Sequence, residues 1–226
     1  MNKLTSMIVG GSLVLGAASV NAAEVSGNVA IASDYVYRGI SQTDESPAIS
    51  GGLDLATDSG FYAGVWGSNV QFGDGEVSAE FDFYFGLGGD ISDDLSYDVG
   101  YLYYAYPNQD TGADYAFQEI YASLSFMDFT GGFAYSNDFF GESGTGTYYY
   151  AEYSLGLPNE FGVDFHIGKT DVDDISLDYV DYSIALNKSM GGLDWSLGWY
   201  DTDLSKTDCG GDICDSRVVL SVAKSL

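Results

Sequence analysis

The stretch "AEFDFYFGLG", residues 79–88, alternates apolar and polar side chains along its length. Phe81, Phe83 and Phe85 fall on one parity, while Glu80 and Asp82 fall on the other. A period of two is typical of a β-strand, because successive side chains along a strand point to opposite faces of the sheet. We therefore expect a strand with one strongly apolar face and one face that carries charge.

The same alternation recurs along the chain in segments of about ten residues, the length of a tilted strand that crosses a bilayer. In "LDWSLGWY", residues 193–200, leucine and tryptophan alternate with Asp194, Ser196 and Gly198. The sequence predicts twelve such strands, near residues 25–38, 48–57, 61–69, 77–88, 95–106, 116–126, 129–136, 147–157, 161–170, 179–188, 193–201 and 217–226.

The connections between these segments alternate in length. The short ones are residues 58–60, 90–94, 127–128, 158–160 and 189–192, and the longer, polar ones are residues 39–47, 70–76, 107–115, 137–146, 171–178 and 202–216. An even number of strands, with short turns on one side and longer loops on the other, is typical of bacterial outer-membrane barrels. We predict an all-β protein, a transmembrane up-and-down antiparallel β-barrel of about 12 strands over residues 23–226.

A soluble β-sandwich or a lipocalin-like barrel would also show alternating strands. Neither would need aromatic side chains at the ends of its strands, whereas membrane barrels place them at the level of the lipid headgroups. The aromatic residues that the alternation predicts to face outward are Tyr35, Tyr37, Tyr101, Tyr103, Tyr149, Tyr153, Tyr182, Trp195 and Trp199.

The first 22 residues differ from the rest of the chain. Lys3 supplies a positive charge, residues 7–20 are apolar, and "VNA" at residues 20–22 has the small residues that signal peptidase requires. The alternative, a transmembrane anchor, is disfavoured because the apolar run is shorter than the ~20 residues that span a bilayer. We predict that residues 1–22 form a signal peptide and that the protein lies in the bacterial outer membrane.

The chain is strongly acidic, with 34 Asp and Glu residues against seven Lys and Arg residues and a formal net charge of −27. Nucleic-acid phosphates would be repelled by this charge, so we expect no nucleic-acid partner. The partners that we expect are outer-membrane lipid, lipopolysaccharide and small solutes. The sequence does not indicate an oligomeric state.

Strand parity divides the polar residues from the lipid-facing ones and so predicts the lining of a pore. On the first segment it places Asp34 and Arg38 on the inner face. Arg38 is then either half of an internal ion pair, with Asp34 or an acid on a neighbouring strand, or a constriction residue that selects solutes. The predicted pore-lining residues are Asp34, Arg38, Asp54, Glu80, Asp82, Asp98, Glu119, Glu152, Asp164, His166, Asp181, Asp194 and Arg217.

An enzyme is the alternative from a different class, because some outer-membrane barrels are hydrolases. Such an enzyme needs an imidazole beside a nucleophile. The chain has one histidine, His166, which parity turns inward, and the sequence contains no hydrolase, metalloprotease or phosphate-loop motif. We therefore predict that the protein is not an enzyme, and we expect no catalytic residues and no cofactor.

Two loops contain residue types that form disulfides or bind metal ions in other proteins. Cys209 and Cys214 flank "GGDI" in the last long loop, and this spacing in an oxidising compartment predicts a disulfide. The run "TDVDDISLD" offers acids at alternate positions but lacks the glycine and the closing glutamate of a calcium-binding EF-hand loop. We expect a solvated loop and no metal site there, although calcium binding stays open; its acids are Asp171, Asp173, Asp174 and Asp178.

Residues 33–89 contain, in order, "YRGISQT", "PAISGGLDL" and "SGFYAGVWGSNV". This half of the chain resembles the N-terminal half of the TorF porin family of proteobacteria. The second half is similar to that family mainly in its strand pattern and in the closing "RVVLSVAKS". The resemblance implies an outer-membrane β-barrel and a channel, and it leaves the transported solute open.

The function that the sequence predicts is a porin, a channel for passive diffusion of small polar solutes. Because a pore lined by carboxylates attracts positive charge, we expect it to prefer cations. The alternative is a non-conducting structural or adhesion barrel that acts through its acidic extracellular loops.

Overall fold

A computed structural model describes residues 23–73, 77–107, 114–173 and 177–226. The predicted signal peptide, residues 1–22, lies outside the described residues, as does Asp174 of the acidic loop. No helix in the described ranges is long and apolar enough to cross a membrane.

Twelve long strands form a closed antiparallel barrel, and two short strands form a separate hairpin. The prediction of a barrel of about 12 strands is confirmed, and a two-sheet sandwich is excluded. The hairpin strands are β2 (Val36–Tyr37) and β3 (Ile40–Ser41). The wall strands are β1 (Glu24–Ala32), β4 (Ala48–Ala56), β5 (Phe61–Asn69), β6 (Ala79–Ser92), β7 (Leu95–Ala105), β8 (Phe117–Phe126), β9 (Phe129–Ser136), β10 (Gly146–Leu157), β11 (Phe161–Val172), β12 (Leu177–Met190), β13 (Leu193–Thr202) and β14 (Arg217–Ser225).

Each wall strand pairs with the next wall strand along the chain, and β1 closes the circle by pairing with β14. In that closing ladder Asn28 lies opposite Ser225, and Ala32 lies opposite Ser221. Closure leaves no wall strand with an unpaired edge, which removes the exposed backbone groups that would otherwise recruit another chain.

The outer surface of the barrel is apolar. Ile49 is 63% exposed, Phe83 is 50% exposed and Val218 is 64% exposed, although all three are large hydrophobic side chains. In water each such side chain would lose roughly 25 cal/mol of stabilising free energy for every Å² of apolar surface left unburied. A continuous apolar exterior of this kind is the surface that lipid covers in transmembrane β-barrels.

Tyrosine rings lie flat against the inner wall because glycines on adjacent strands leave room for them. A Cβ atom at Gly64 on β5 would collide with the ring of Tyr84, and one at Gly100 on β7 would collide with the ring of Tyr121. The same relation joins Gly86 with Tyr62, Gly132 with Tyr150, and Gly168 with Tyr148, and within β13 the ring of Tyr200 lies over Gly198.

The first predicted strand is too long. It was expected to run over residues 25–38, but β1 ends at Ala32 and the chain then leaves the wall for the interior. Tyr35 and Tyr37, predicted to face outward, face inward: Tyr35 is 5% exposed and its hydroxyl donates a hydrogen bond to Glu80. The prediction failed because both tyrosines keep the alternation of the strand after the chain has turned inward.

The glycine positions under the tyrosine rings give a stability prediction. Gly64→Val should destabilise the folded barrel by roughly 1–3 kcal/mol, because the new side chain overpacks the ring of Tyr84. Gly156→Val on β10 is the matched control, because nothing lies within 4 Å of a Cβ at that position. The measurement is the temperature at which each purified barrel loses its folded mobility on a gel, and equal temperatures for the two variants would contradict the packing.

Candidate functional site

Residues 33–47 connect β1 to β4 and fold into the barrel; we call this segment the plug. Its hairpin has two pairs of facing residues, Val36 with Ser41 and Tyr37 with Ile40. Arg38 and Gly39 form the turn, with φ of 45° and 81°. A two-residue turn with both φ values positive is the type I′ turn that suits the twist of a hairpin.

The tip of the plug is held against the far wall. Arg38 adopts a left-handed conformation that costs a non-glycine residue about 1–2 kcal/mol, so its side-chain contacts must offset the strain. Gly39 has no side chain, and a Cβ there would collide with Thr202 of β13 and crowd Asp181 of β12. Only glycine fits between the turn and these strands.

The guanidinium of Arg38 forms a buried ion pair with Glu119 on β8. Its Nη2 atom donates to both carboxylate oxygens of Glu119, at 2.8 and 2.9 Å. The two side chains are 8% and 4% exposed. The guanidinium carbon also lies 4.0 Å from the centre of the Tyr148 ring. Burial opposes the charge on Arg38, but the Glu119 carboxylate and the surrounding tyrosines together raise the pKa of Arg38 well above its ordinary value.

The base of the plug is held by a second ion pair. Arg217, the first residue of β14, donates from Nη1 to Asp34 at 2.9 Å, and Ser41 donates to the other oxygen of Asp34 at 2.7 Å. Arg217 also donates to the backbone carbonyl of Asp212 at 2.9 Å. Asp212 lies in the loop that the disulfide between Cys209 and Cys214 closes, as the sequence predicted.

The middle of the plug contacts the wall through tyrosines. The Tyr35 hydroxyl donates to Glu80 of β6 at 2.7 Å, and the Tyr35 ring packs edge-on against Trp66 of β5 at 5.4 Å. The hydroxyls of Tyr37 and Tyr104 lie 3.3 Å apart. The plug is therefore attached to wall strands on several sides of the barrel.

Aromatic side chains from three loops and from β8 cover the plug; we call them the aromatic cap. Phe72 contacts Phe140 at 5.4 Å between ring centres, and Tyr115 stacks on Phe140 at 4.7 Å. Phe117 joins the cap to the wall by packing against Phe139 at 4.8 Å. Plug and cap together occupy the interior at the end of the barrel that carries the long loops. The cap consists of Phe72, Tyr106, Tyr115, Phe117, Phe139 and Phe140.

The opposite half of the interior is lined by tyrosines and carboxylates. The Tyr62 hydroxyl lies 2.6 Å from Asp98, to which it donates, and 2.5 Å from the hydroxyl of Tyr121. Tyr84 donates in the same way to Asp54. These side chains hydrogen-bond one another along the wall.

His166 is held between two carboxylates. Its Nδ1 atom lies 3.1 Å from Glu152, and its Nε2 atom lies 3.0 Å from Asp181 and 2.7 Å from the Tyr148 hydroxyl. Both ring nitrogens have partners, as expected for an imidazole that braces the wall. Among the described residues, no group of three or more histidine, cysteine or acidic side chains could hold a metal ion.

The predicted pore-lining residues separate into two groups. Asp34 and Arg38 belong to the plug, so the strand position predicted for them is wrong, and Arg38 pairs with Glu119 rather than with Asp34. The sequence signal that we missed is the turn "YRGI", in which a glycine follows the tip residue of a hairpin. The other predicted residues lie on the inward parity of the wall strands: Asp54, Glu80, Asp82, Asp98, Glu119, Glu152, Asp164, His166, Asp181, Asp194 and Arg217.

The closed wall, the apolar exterior and the polar interior define a twelve-stranded barrel of the porin fold. The chain belongs to the family described as "Bacterial protein of unknown function (Gcw_chp)", whose model matches residues 16–226. This family is not named TorF, so the TorF resemblance stays a prediction. A comparison with curated proteins found no match.

Solved structures with the same fold include two porins. The KdgM porin has a TM-score of 0.60 at 8% identity, over 89% of this chain and 99% of KdgM. The KdgM porin in complex with disordered oligogalacturonate has a TM-score of 0.59 at 7% identity, over 91% and 99% of the two chains. The NanC porin has a TM-score of 0.54 at 10% identity, over 88% and 98%. At these identities the likeness establishes the fold.

The burial of Arg38 predicts that trypsin cannot cut the plug of the folded barrel. Glu119→Gln should make the Arg38–Gly39 bond at least about tenfold more susceptible, because a hydrogen bond to a charged group contributes roughly 1.5–3 kcal/mol and 1.4 kcal/mol is a factor of ten. Mass spectrometry of the fragments measures the cleavage.

Two controls accompany this digestion. Cleavage after Lys206, whose side chain is 59% exposed, should be the same in every sample. Asp98→Asn removes an interior carboxylate that does not touch the plug, and this variant should stay resistant at Arg38. Rapid cleavage at Arg38 in the unaltered protein would show that the plug is not held inside.

Proposed function

We propose that this protein is a porin-type channel of the bacterial outer membrane through which small polar solutes diffuse. The observation that supports the proposal is the closed twelve-stranded wall with an apolar outside and a polar, charged inside. Closure satisfies the backbone groups that lipid cannot hydrogen-bond. A polar interior has no role in packing against lipid, so its natural use is contact with water and solutes.

The arrangement of the connections suggests how the barrel is oriented. The short turns, the start of β1 and the end of β14 lie at one end of the barrel, and the long loops lie at the other. In bacterial barrels the short turns are periplasmic and the long loops are extracellular. In this orientation the plug and the aromatic cap close the extracellular end, and lipopolysaccharide surrounds the same end of the wall.

The charge of the interior favours cations. Of the predicted pore-lining residues, three can carry positive charge, and Arg38, Arg217 and His166 are all already paired with carboxylates. The remaining acids give the interior an excess of negative charge that attracts cations and repels anions. Because of this excess, we propose that this chain carries positively charged solutes. The oligogalacturonate in the KdgM complex, by contrast, is a polyanion.

A second candidate is a non-conducting structural or adhesion barrel, and the plug favours it. A barrel of eight strands is filled by its own side chains, whereas 16–18 strands leave an aqueous channel. Twelve strands lie between these limits, so the contents of the interior decide whether ions pass. The plug and the cap occupy the loop end, and a barrel that never released them would act only through its surface.

Conductance of the purified protein in planar bilayers separates the two candidates. A channel should give discrete steps that favour potassium over chloride at low salt. This preference should weaken as salt rises, because the screening length falls from ~30 Å at 0.01 M to ~3 Å at 1 M. Replacing residues 36–41 with two glycines removes the hairpin and should enlarge the steps.

Conductance is compared only between samples that contain folded barrels. Each sample should first show the heat-sensitive gel mobility of an intact barrel. Silence of both the unaltered and the plug-shortened barrels would favour the non-conducting candidate. Selectivity for chloride in either barrel would overturn the proposed cation preference.

A further inference from the structure

The wall of the barrel contains a binding site for a guanidinium group, and Arg38 of the plug occupies it. Glu119 of β8 accepts two hydrogen bonds from the guanidinium, and the ring of Tyr148 on β10 lies beside it at 4.0 Å. Tyr104 of β7 donates to Glu119 at 3.2 Å and so orients the carboxylate. A carboxylate and an aromatic face together form the chemistry that recognises guanidinium and ammonium groups.

The backbones of these three residues belong to the wall. Tyr104, Glu119 and Tyr148 project inward from wall strands whose ladders are continuous around them. The plug, by contrast, has a hairpin of two residue pairs and a tip residue in a strained conformation. The site is therefore part of the wall, and its present occupant is attached to the less regular element.

Arg38 does not satisfy all the buried carboxylates of the interior. One oxygen of Asp82 on β6 and one oxygen of Asp181 on β12 are buried and accept no hydrogen bond. The two residues are 8% and 3% exposed, and their strands lie on opposite sides of the closed wall. Buried acceptors without donors are rare. The interior thus has acceptors for more hydrogen-bond donors than Arg38 supplies.

We propose that Glu119, Tyr104 and Tyr148 form the subsite for the positively charged end of an organic solute, which bears a guanidinium or primary ammonium group and displaces Arg38 when it binds. When the plug moves out, Glu119 loses the guanidinium of Arg38, and the positive group of the solute takes its place. Opening of the plug and binding of cargo are then one exchange, in which one guanidinium takes the place of another. As a route for cargo, this subsite rests on the proposed channel function.

The first experiment measures binding of agmatine, which has a guanidinium at one end and a primary ammonium at the other. Calorimetry on the folded barrel in detergent needs no conductance, so it gives a result whether or not the barrel is a channel. Arg38→Ala should bind agmatine at least about tenfold more tightly than the unaltered protein, because the competing side chain is gone. Arg38→Gln keeps a long side chain without charge and should show the same gain.

Further variants test whether agmatine binds at this subsite. Tyr148→Leu in the Arg38→Gln background should weaken binding by roughly 2-fold to 30-fold, the range of a cation–π contact. Tyr101→Leu removes a tyrosine from the outward face of β7 and should leave the affinity unchanged. N-butylurea, a neutral probe with a similar planar head, should bind none of these proteins.

The second readout is release of the plug from the unaltered protein. Saturating agmatine should speed chymotrypsin cleavage after Tyr37 by about tenfold, and N-butylurea should not. The proposal is overturned if agmatine binds the unaltered protein and both Arg38 variants equally, or binds none of them. A barrel that binds agmatine as predicted but never conducts would keep the subsite and reject the channel.

Discussion

The pairing of β1 with β14 is the constraint on which the rest of the structure depends. It turns a twelve-stranded sheet into a tube, and every wall strand then has a neighbour on both sides. A tube of this size is wider than the eight-stranded barrel that side chains of the wall just fill. The chain fills the loop end with backbone from its own first loop, and it lines the remainder with tyrosines that lie over glycines.

Scarcity of positive charge gives each interior cation a definite position. Arg38 holds the tip of the plug to β8, and Arg217, the first residue of β14, holds its base through Asp34. His166 lies between two wall carboxylates instead. The plug is attached by these ion pairs, by tyrosine hydrogen bonds and by aromatic packing of Tyr35 and Tyr37. The ion pair at the tip differs from the aromatic contacts, because a solute that carries the same charged group can replace Arg38.

The wall could be predicted from sequence because each wall strand has one apolar and one polar face, and a period of two records that difference directly. The same period predicted which face of β6 carries Glu80 and Asp82. The plug could not be found in this way, because Tyr35 and Tyr37 continue the alternation after the chain has left the wall. The partner of Arg38 is 81 residues away, and no local pattern encodes a contact at that distance. The disulfide was predictable, because its cysteines are five positions apart in the sequence.

The contact between Asp34 and Arg217 joins residues 183 positions apart in the chain. Asp34 follows the first wall strand, whereas Arg217 begins the last, so their ion pair spans the β1–β14 seam. Contacts of such long range are slow to form because the intervening chain must first be ordered. The same closure that completes the wall thus brings the base of the plug to its partner.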